Sequence, residues 1–193
     1  MELDDLIAGS GFLFTGFADI SISIAILSVI QSALISLSSF FFIVPLFVAG
    51  FGLRGLWLWK TYKKEKRILY ATASFLTVLL GSAVMIGLSI FVINLLDVLP
   101  VSSYEGNPYL VSLAALWTVY TVMEAVILLK NGGKLAGACS YGMIFGIALV
   151  DASILYIISI FQWMLPAAIA FVALLNFVLA ADSFNVFSGL RNG

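Results

Sequence analysis

The sequence predicts an all-α integral membrane protein, a polytopic bundle of six transmembrane helices with both termini on the inner side. Three observations predict it. Hydrophobic residues make up 63% of the 193 positions and charged residues only 10%, against about 45–50% and about 25% in a soluble domain. The apolar residues gather in stretches long enough to cross about 30 Å of hydrocarbon as a helix. The lysines and arginines fall between or beside those stretches, on one side. A transmembrane β-barrel is excluded, because the stretches lack the alternation of polar and apolar residues that a barrel strand shows.

The spans are expected at about 9–31, 35–58, 68–96, 109–129, 136–161 and 165–187, within a single domain covering 1–193. Residues 9–58 hold only Asp19 and Arg54 as charges. One straight helix of that length would run about 75 Å at 1.5 Å per residue, so a turn is expected near Gln31-Ser32 or Ser36–Ser39. A five-span alternative lays residues 3–25 on the surface as an interfacial helix. The run Lys60–Arg67 is too charged for lipid and reads as a loop. Pro100 to Pro108 is rich in turn residues, Lys130–Lys134 is a short polar turn, and Gln162–Pro166 is a tight connection whose proline suits the first turn of the next helix. The start Met1-Glu2-Leu3-Asp4-Asp5 lacks the positive charge of a secretory leader, so the first apolar stretch is expected to stay in the mature protein.

Orientation follows from the cations. With six spans, the basic loops 59–67 and 130–134, Arg54 and the tail with Arg191 share one side, whereas the 97–108 loop carries Asp97 and Glu105 and no base. The positive-inside rule makes the basic side cytoplasmic. Trp57, Trp59 and Tyr62 suit the inner interface, and Tyr104, Tyr109 and Trp163 the outer one. The expected location is a prokaryotic cytoplasmic membrane.

Charges inside the spans are the functional candidates, because each costs on the order of 2.5–3.5 kcal/mol at a helix centre and needs a partner, water or a neutral form. Asp151 is the deepest, roughly 15 Å from the outer end of the fifth helix, with no base at its depth; it reads as a proton or cation site, or as a neutral carboxyl bonded to a neighbouring helix. Glu124 shares a face with Trp117, Tyr120 and Thr121. It lies about 9 Å from the inner boundary, the depth also expected of Arg54. Arg54 and Glu124 are therefore candidates for a structural ion pair, with a role in a pathway as the competing reading of Glu124. Asp19 forms a polar stripe with Thr15 and Ser23 at helical spacing, one wall of a cavity or a face bonded to other helices. Gly142 and Gly146 form a GxxxG pair, and Ala83 with Gly87 a second small pair, both suited to close helix packing.

The inventory also excludes chemistry. There is no histidine and one cysteine, Cys139, so histidine metal sites, serine–histidine catalysis and a disulfide are ruled out. The paired motifs of intramembrane aspartyl proteases, the EExxxR of CAAX-type proteases, the DGxxAR of CDP-alcohol phosphotransferases and a Walker A loop are missing. No enzyme activity, metal or cofactor is expected, and a net charge of −1 argues against nucleic acid. The expected partners are the lipid bilayer and, beyond it, other membrane subunits or further copies of the chain. In size and number of short-looped spans the chain resembles the substrate-binding membrane components of energy-coupling-factor importers; the likeness is one of outline and assigns no residues. Two functions remain: a transport-like protein that moves or binds an ion or solute through its intramembrane carboxylates Asp151, Glu124 and Asp19, or a non-catalytic accessory subunit of a larger membrane assembly such as a respiratory complex.

Overall fold

The computed structural model describes residues 3–31, 33–96, 108–131, 133–155 and 164–184. They form six helices: α1 Leu3–Gln31, α2 Ala33–Glu65, α3 Ile68–Leu96, α4 Pro108–Asn131, α5 Lys134–Leu155 and α6 Met164–Ser183. Among the described residues there is no strand. The third helix begins at Ile68, as expected from the sequence, and is described to Leu96. The first two are longer than expected at the basic side, starting at Leu3 instead of 9 and ending at Glu65 instead of 58.

The physical reason for that correction is charge. Asp4 and Asp5 stand in the first turn of α1, and Lys63 and Lys64 in the last turn of α2, so each helix end carries the sign its dipole favours. Asp4 then joins the two ends. It accepts a hydrogen bond from Lys64 and lies 3.6 Å from the Lys60 ammonium. The run read as a loop is thus a helical extension, with Thr61 Oγ1 donating back to the Trp57 carbonyl at 2.9 Å. It stops at Lys66, which takes a left-handed φ of 58° and donates its N–H to the Tyr62 carbonyl at 2.7 Å. That is a helix C-cap made without glycine. The loop residues Asp97, Pro100, Tyr104 and Glu105, Trp163, and the tail with Arg191 lie outside the described residues. So does the end of the fifth span, expected to reach 161. Pro166 falls in the first turn of α6 and is buried.

The helices close a ring. α1 packs on α2, α2 on α3, α3 on α4, α4 on α5, α5 on α6, and α6 returns to α1. One apolar cluster fills the space among α1, α2, α3 and α4, built on Phe47, Phe51, Leu80 and Tyr120. A second, among α1, α4, α5 and α6, is built on Phe12, Leu128, Met143 and Leu179. Large apolar side chains also cover the outside, including Phe75, Leu79, Phe145 and Leu174. Among the described residues, Leu3–Ala25, Ile43–Glu65, Lys134–Ser153 and Met164–Ser183 are long and apolar enough to cross a membrane.

Glycines set the spacing between helices, because the lack of a side chain lets two helix backbones approach closely. A Cβ on Gly50 would stand 2.7 Å from Thr15 Oγ1 and 2.8 Å from the Thr15 backbone nitrogen, and one on Gly11 would stand 3.0 Å from the Arg54 nitrogen. The backbones of α1 and α2 therefore touch at this crossing. Gly142 packs on Leu175, and Gly146 on Val172 and Phe171, which places that pair at the α5–α6 contact within the chain. Ala83 is half-buried on α3; the packing of Gly87 lies outside the described residues. Gly50→Ala is expected to lower stability in detergent by about 1–3 kcal/mol, the usual cost of overpacking. Gly52→Ala, at a position with nothing within 4 Å, is expected to leave it unchanged or slightly raised. Thermal unfolding of the two variants side by side checks the crossing, and an equal response from both would contradict it.

Candidate functional site

The buried charged residues among those described are Asp19, Arg54 and Glu124. They come from α1, α2 and α4 and gather inside the ring. α2 and α4 are separated by α3 in the chain order of the ring, so the contact between Arg54 and Glu124 crosses the interior. Arg54 Nε donates to Glu124 Oε1 at 2.9 Å, and its Nη2 donates to Oε2. Both side chains are almost wholly buried, at 2% and 1% exposure, so solvent does not screen this two-point contact. Tyr120, one turn earlier on α4, adds a hydrogen bond from its hydroxyl to Glu124 Oε1 at 2.7 Å.

Aromatic rings enclose the guanidinium. Its centre lies 4.7 Å from the Phe12 ring, 5.3 Å from Tyr120 and 6.0 Å from Phe51, within the range of cation–π attraction. Phe51 stacks on Phe47 at 5.3 Å and meets Tyr120 edge-on at 6.1 Å. Phe12 comes from α1, so three helices of the ring hold this one cation. The glycine crossing explains how it fits: a Cβ on Gly11 would stand 2.8 Å from Arg54 Cγ, so a larger residue there would meet the arginine stem.

Asp19 is completely buried, and its partner is an amide. Asn176 Nδ2, on α6, donates to Asp19 Oδ2 at 2.9 Å. Asp19 Oδ1 and Asn176 Oδ1 have no hydrogen-bond partner among the described residues. Thr15 and Ser23, the other members of the expected stripe, are buried with Asp19 but use their hydroxyls on carbonyls. Thr15 donates to Gly11 at 2.7 Å on its own helix, and Ser23 to Pro166 at 2.7 Å on α6.

Asp151 stands apart. It lies on α5, half-buried, and accepts a hydrogen bond from Thr118 of α4 at 2.5 Å, while its Oδ1 has no partner among the described residues. Thr118 precedes Glu124 by two helical steps of three residues, about 9 Å along α4. The structure thus brings Arg54, Glu124 and Asp19 into one region and keeps Asp151 at a different level. Among the described residues no cluster of carboxylates or thiols could hold a metal ion, and Cys139 is a buried free thiol. Reading charges alone misses Asn176 and Thr118. The signal for Asn176 was present, since it is a lone amide within the apolar run Phe171–Ala180. Thr118 sits among other hydroxyl residues on α4 and carries no comparable signal.

Compared with known protein families, curated proteins and solved structures, the chain matches none of them.

Removing one partner of a buried pair leaves an uncompensated charge, at a cost on the order of 3–5 kcal/mol. Glu124→Gln is therefore expected to lower the unfolding temperature strongly. Adding Arg54→Leu is expected to return part of the loss, through a coupling on the order of 0.5–3 kcal/mol. Thermal unfolding of the two single variants and the double variant in one detergent measures it. Additive losses would remove the pair from the account of stability.

Proposed function

We propose that the protein is a six-span membrane protein of transport-like function, moving or binding an ion or small solute, with Asp151 and Asp19 as pathway carboxylates. The observation that carries this reading is an imbalance of charge. Glu124 has a cation of its own in Arg54. Asp151 and Asp19 have no base bonded to them, only a hydroxyl and an amide, and each keeps an oxygen without a partner among the described residues. A carboxylate inside a span with an unused oxygen is costly unless it takes up a proton, a cation or water. The Arg54–Glu124 contact belongs, in this reading, to the scaffold that holds the ring closed.

Six spans are favoured over five by the burial of α1. Phe12, Ala18 and Asp19 are at most 1% exposed, and α1 lies against both α2 and α6, which suits a span better than a helix lying on the surface. The link from Asp4 to Lys60 and Lys64 sets the start of α1 beside the basic end of α2. With the positive-inside rule this supports an inner, cytoplasmic N-terminus. The competing function, an accessory subunit of a larger membrane assembly, draws on the apolar cover of the ring, where Phe75 and Phe145 are as available to another subunit as to lipid.

Reconstitution in liposomes tests the transport reading. A wild-type flux of protons or cations that Asp151→Asn abolishes, with unchanged yield and unfolding temperature, is the expected result. Wild-type flux in that variant would take Asp151 out of the pathway. Purification in mild detergent with stoichiometric partner chains, and no flux from the isolated protein, would favour the accessory subunit.

A further inference from the structure

We propose that Asp19 and Asn176 form a proton-binding site between α1 and α6, with the proton carried on Asp19 Oδ1 and donated to Asn176 Oδ1. The proposal takes from the transport reading that Asp19 belongs to the pathway, and adds what Asp19 holds. It starts from an unfinished pairing. A carboxyl group and a primary amide can join through two hydrogen bonds. In one, the amide N–H donates to one carboxyl oxygen; in the other, the acid O–H donates to the amide oxygen. The first bond is present, from Asn176 Nδ2 to Asp19 Oδ2 at 2.9 Å. The second needs a hydrogen between the two oxygens that have no partner among the described residues, Asp19 Oδ1 and Asn176 Oδ1. An ionised Asp19 has no hydrogen to give, so both oxygens would stay unsatisfied in a site where the two residues are 0% and 1% exposed. One proton completes both, forming one O–H bond on Asp19 and breaking none in the protein.

The surrounding charges agree. α1 packs against α2 and α6. From α2 the charged group that acts on Asp19 is Arg54, which is already bound at two points to Glu124 of α4. From α6 the facing polar group is Asn176. The buried charged residues described number one base and two acids, so the interior is neutral only if one acid carries a proton. Glu124 accepts three hydrogen bonds, from Arg54 twice and from Tyr120, so both of its oxygens are used, whereas Asp19 Oδ1 has no partner among the described residues. The proton therefore belongs on Asp19. A metal cation fits less well, since Asp19 is the one carboxylate at this point and among the described residues no group of three acids or thiols could hold a metal ion.

Infrared difference spectroscopy of the full chain in liposomes tests this. At neutral pH the wild type is expected to show the carbonyl stretch of a protonated carboxyl. Asp19→Asn loses that band and Asp151→Asn keeps it. Asn176→Leu retains the acid but removes its acceptor, so the band is expected to persist and move to higher frequency. Should Asp19→Asn not accumulate, Asn176→Leu decides alone. A spectrum unchanged by either substitution overturns the proposal. So does a band that disappears when sodium replaces a large organic cation at fixed ionic strength, which would make the ligand a metal cation. The spectrum reads the bound proton without any flux, so a chain that transports nothing would still carry the band, and a missing band would leave the Asp151 flux test untouched.

Discussion

The arrangement of the ring depends on one buried cation. Arg54 extends from α2 across the interior to Glu124 on α4, and Phe12 of α1 covers its face. A guanidinium in an apolar interior is tolerable only with its charge paired and its donors used, so α1, α2 and α4 must keep their relative positions while it stays there. The close crossing of α1 and α2 at Gly11, Thr15 and Gly50 is part of the same constraint. It lets the arginine stem run against the α1 backbone, and side chains at those glycines would push the two helices apart.

Away from this centre the helices are joined by single polar contacts of lower stake. Ser74 of α3 donates to the Gly55 carbonyl of α2 at 2.9 Å, Ser23 of α1 to the Pro166 carbonyl of α6, and Thr118 of α4 to Asp151 of α5. Such bonds in a membrane average well under the strength of a buried ion pair, about 0.6 kcal/mol where measured. Their value lies in register. Each fixes a depth at which two neighbouring helices must meet, which an apolar contact does not do.

Much of this was legible from simple arithmetic. Six helices follow from the lengths of the apolar runs and the charges between them, and α3 begins at Ile68, directly after the basic run that ends at Arg67. Arg54 and Glu124 can be matched by depth, since each stands about one to two turns inside the basic boundary. The ends of α1 and α2 were misjudged for a physical reason. A run of lysines is incompatible with lipid but fully compatible with helix, and a helix leaving the membrane keeps its hydrogen bonds as its side chains reach water or Asp4. Asn176 was missed because a neutral amide does not announce itself in a survey of charge, although its desolvation demands a partner as surely.

Asn176 also changes what Asp19 means. Set beside Thr15 and Ser23 alone, Asp19 is one acid in a polar stripe. Set against Asn176, it faces a group that can both donate and accept, and only one of those two capacities is met. Among the described residues Arg54 stands as the single buried base for two buried acids. With a proton on Asp19 it is free to bind Glu124 at two points; with that proton gone, a second carboxylate would draw on the same guanidinium. The Phe12 and Tyr120 rings that clasp the guanidinium favour its present position, so any shift towards Asp19 must also loosen α1 from α4. The charge state of one carboxyl is thereby tied to the packing of the helices that hold the ring together.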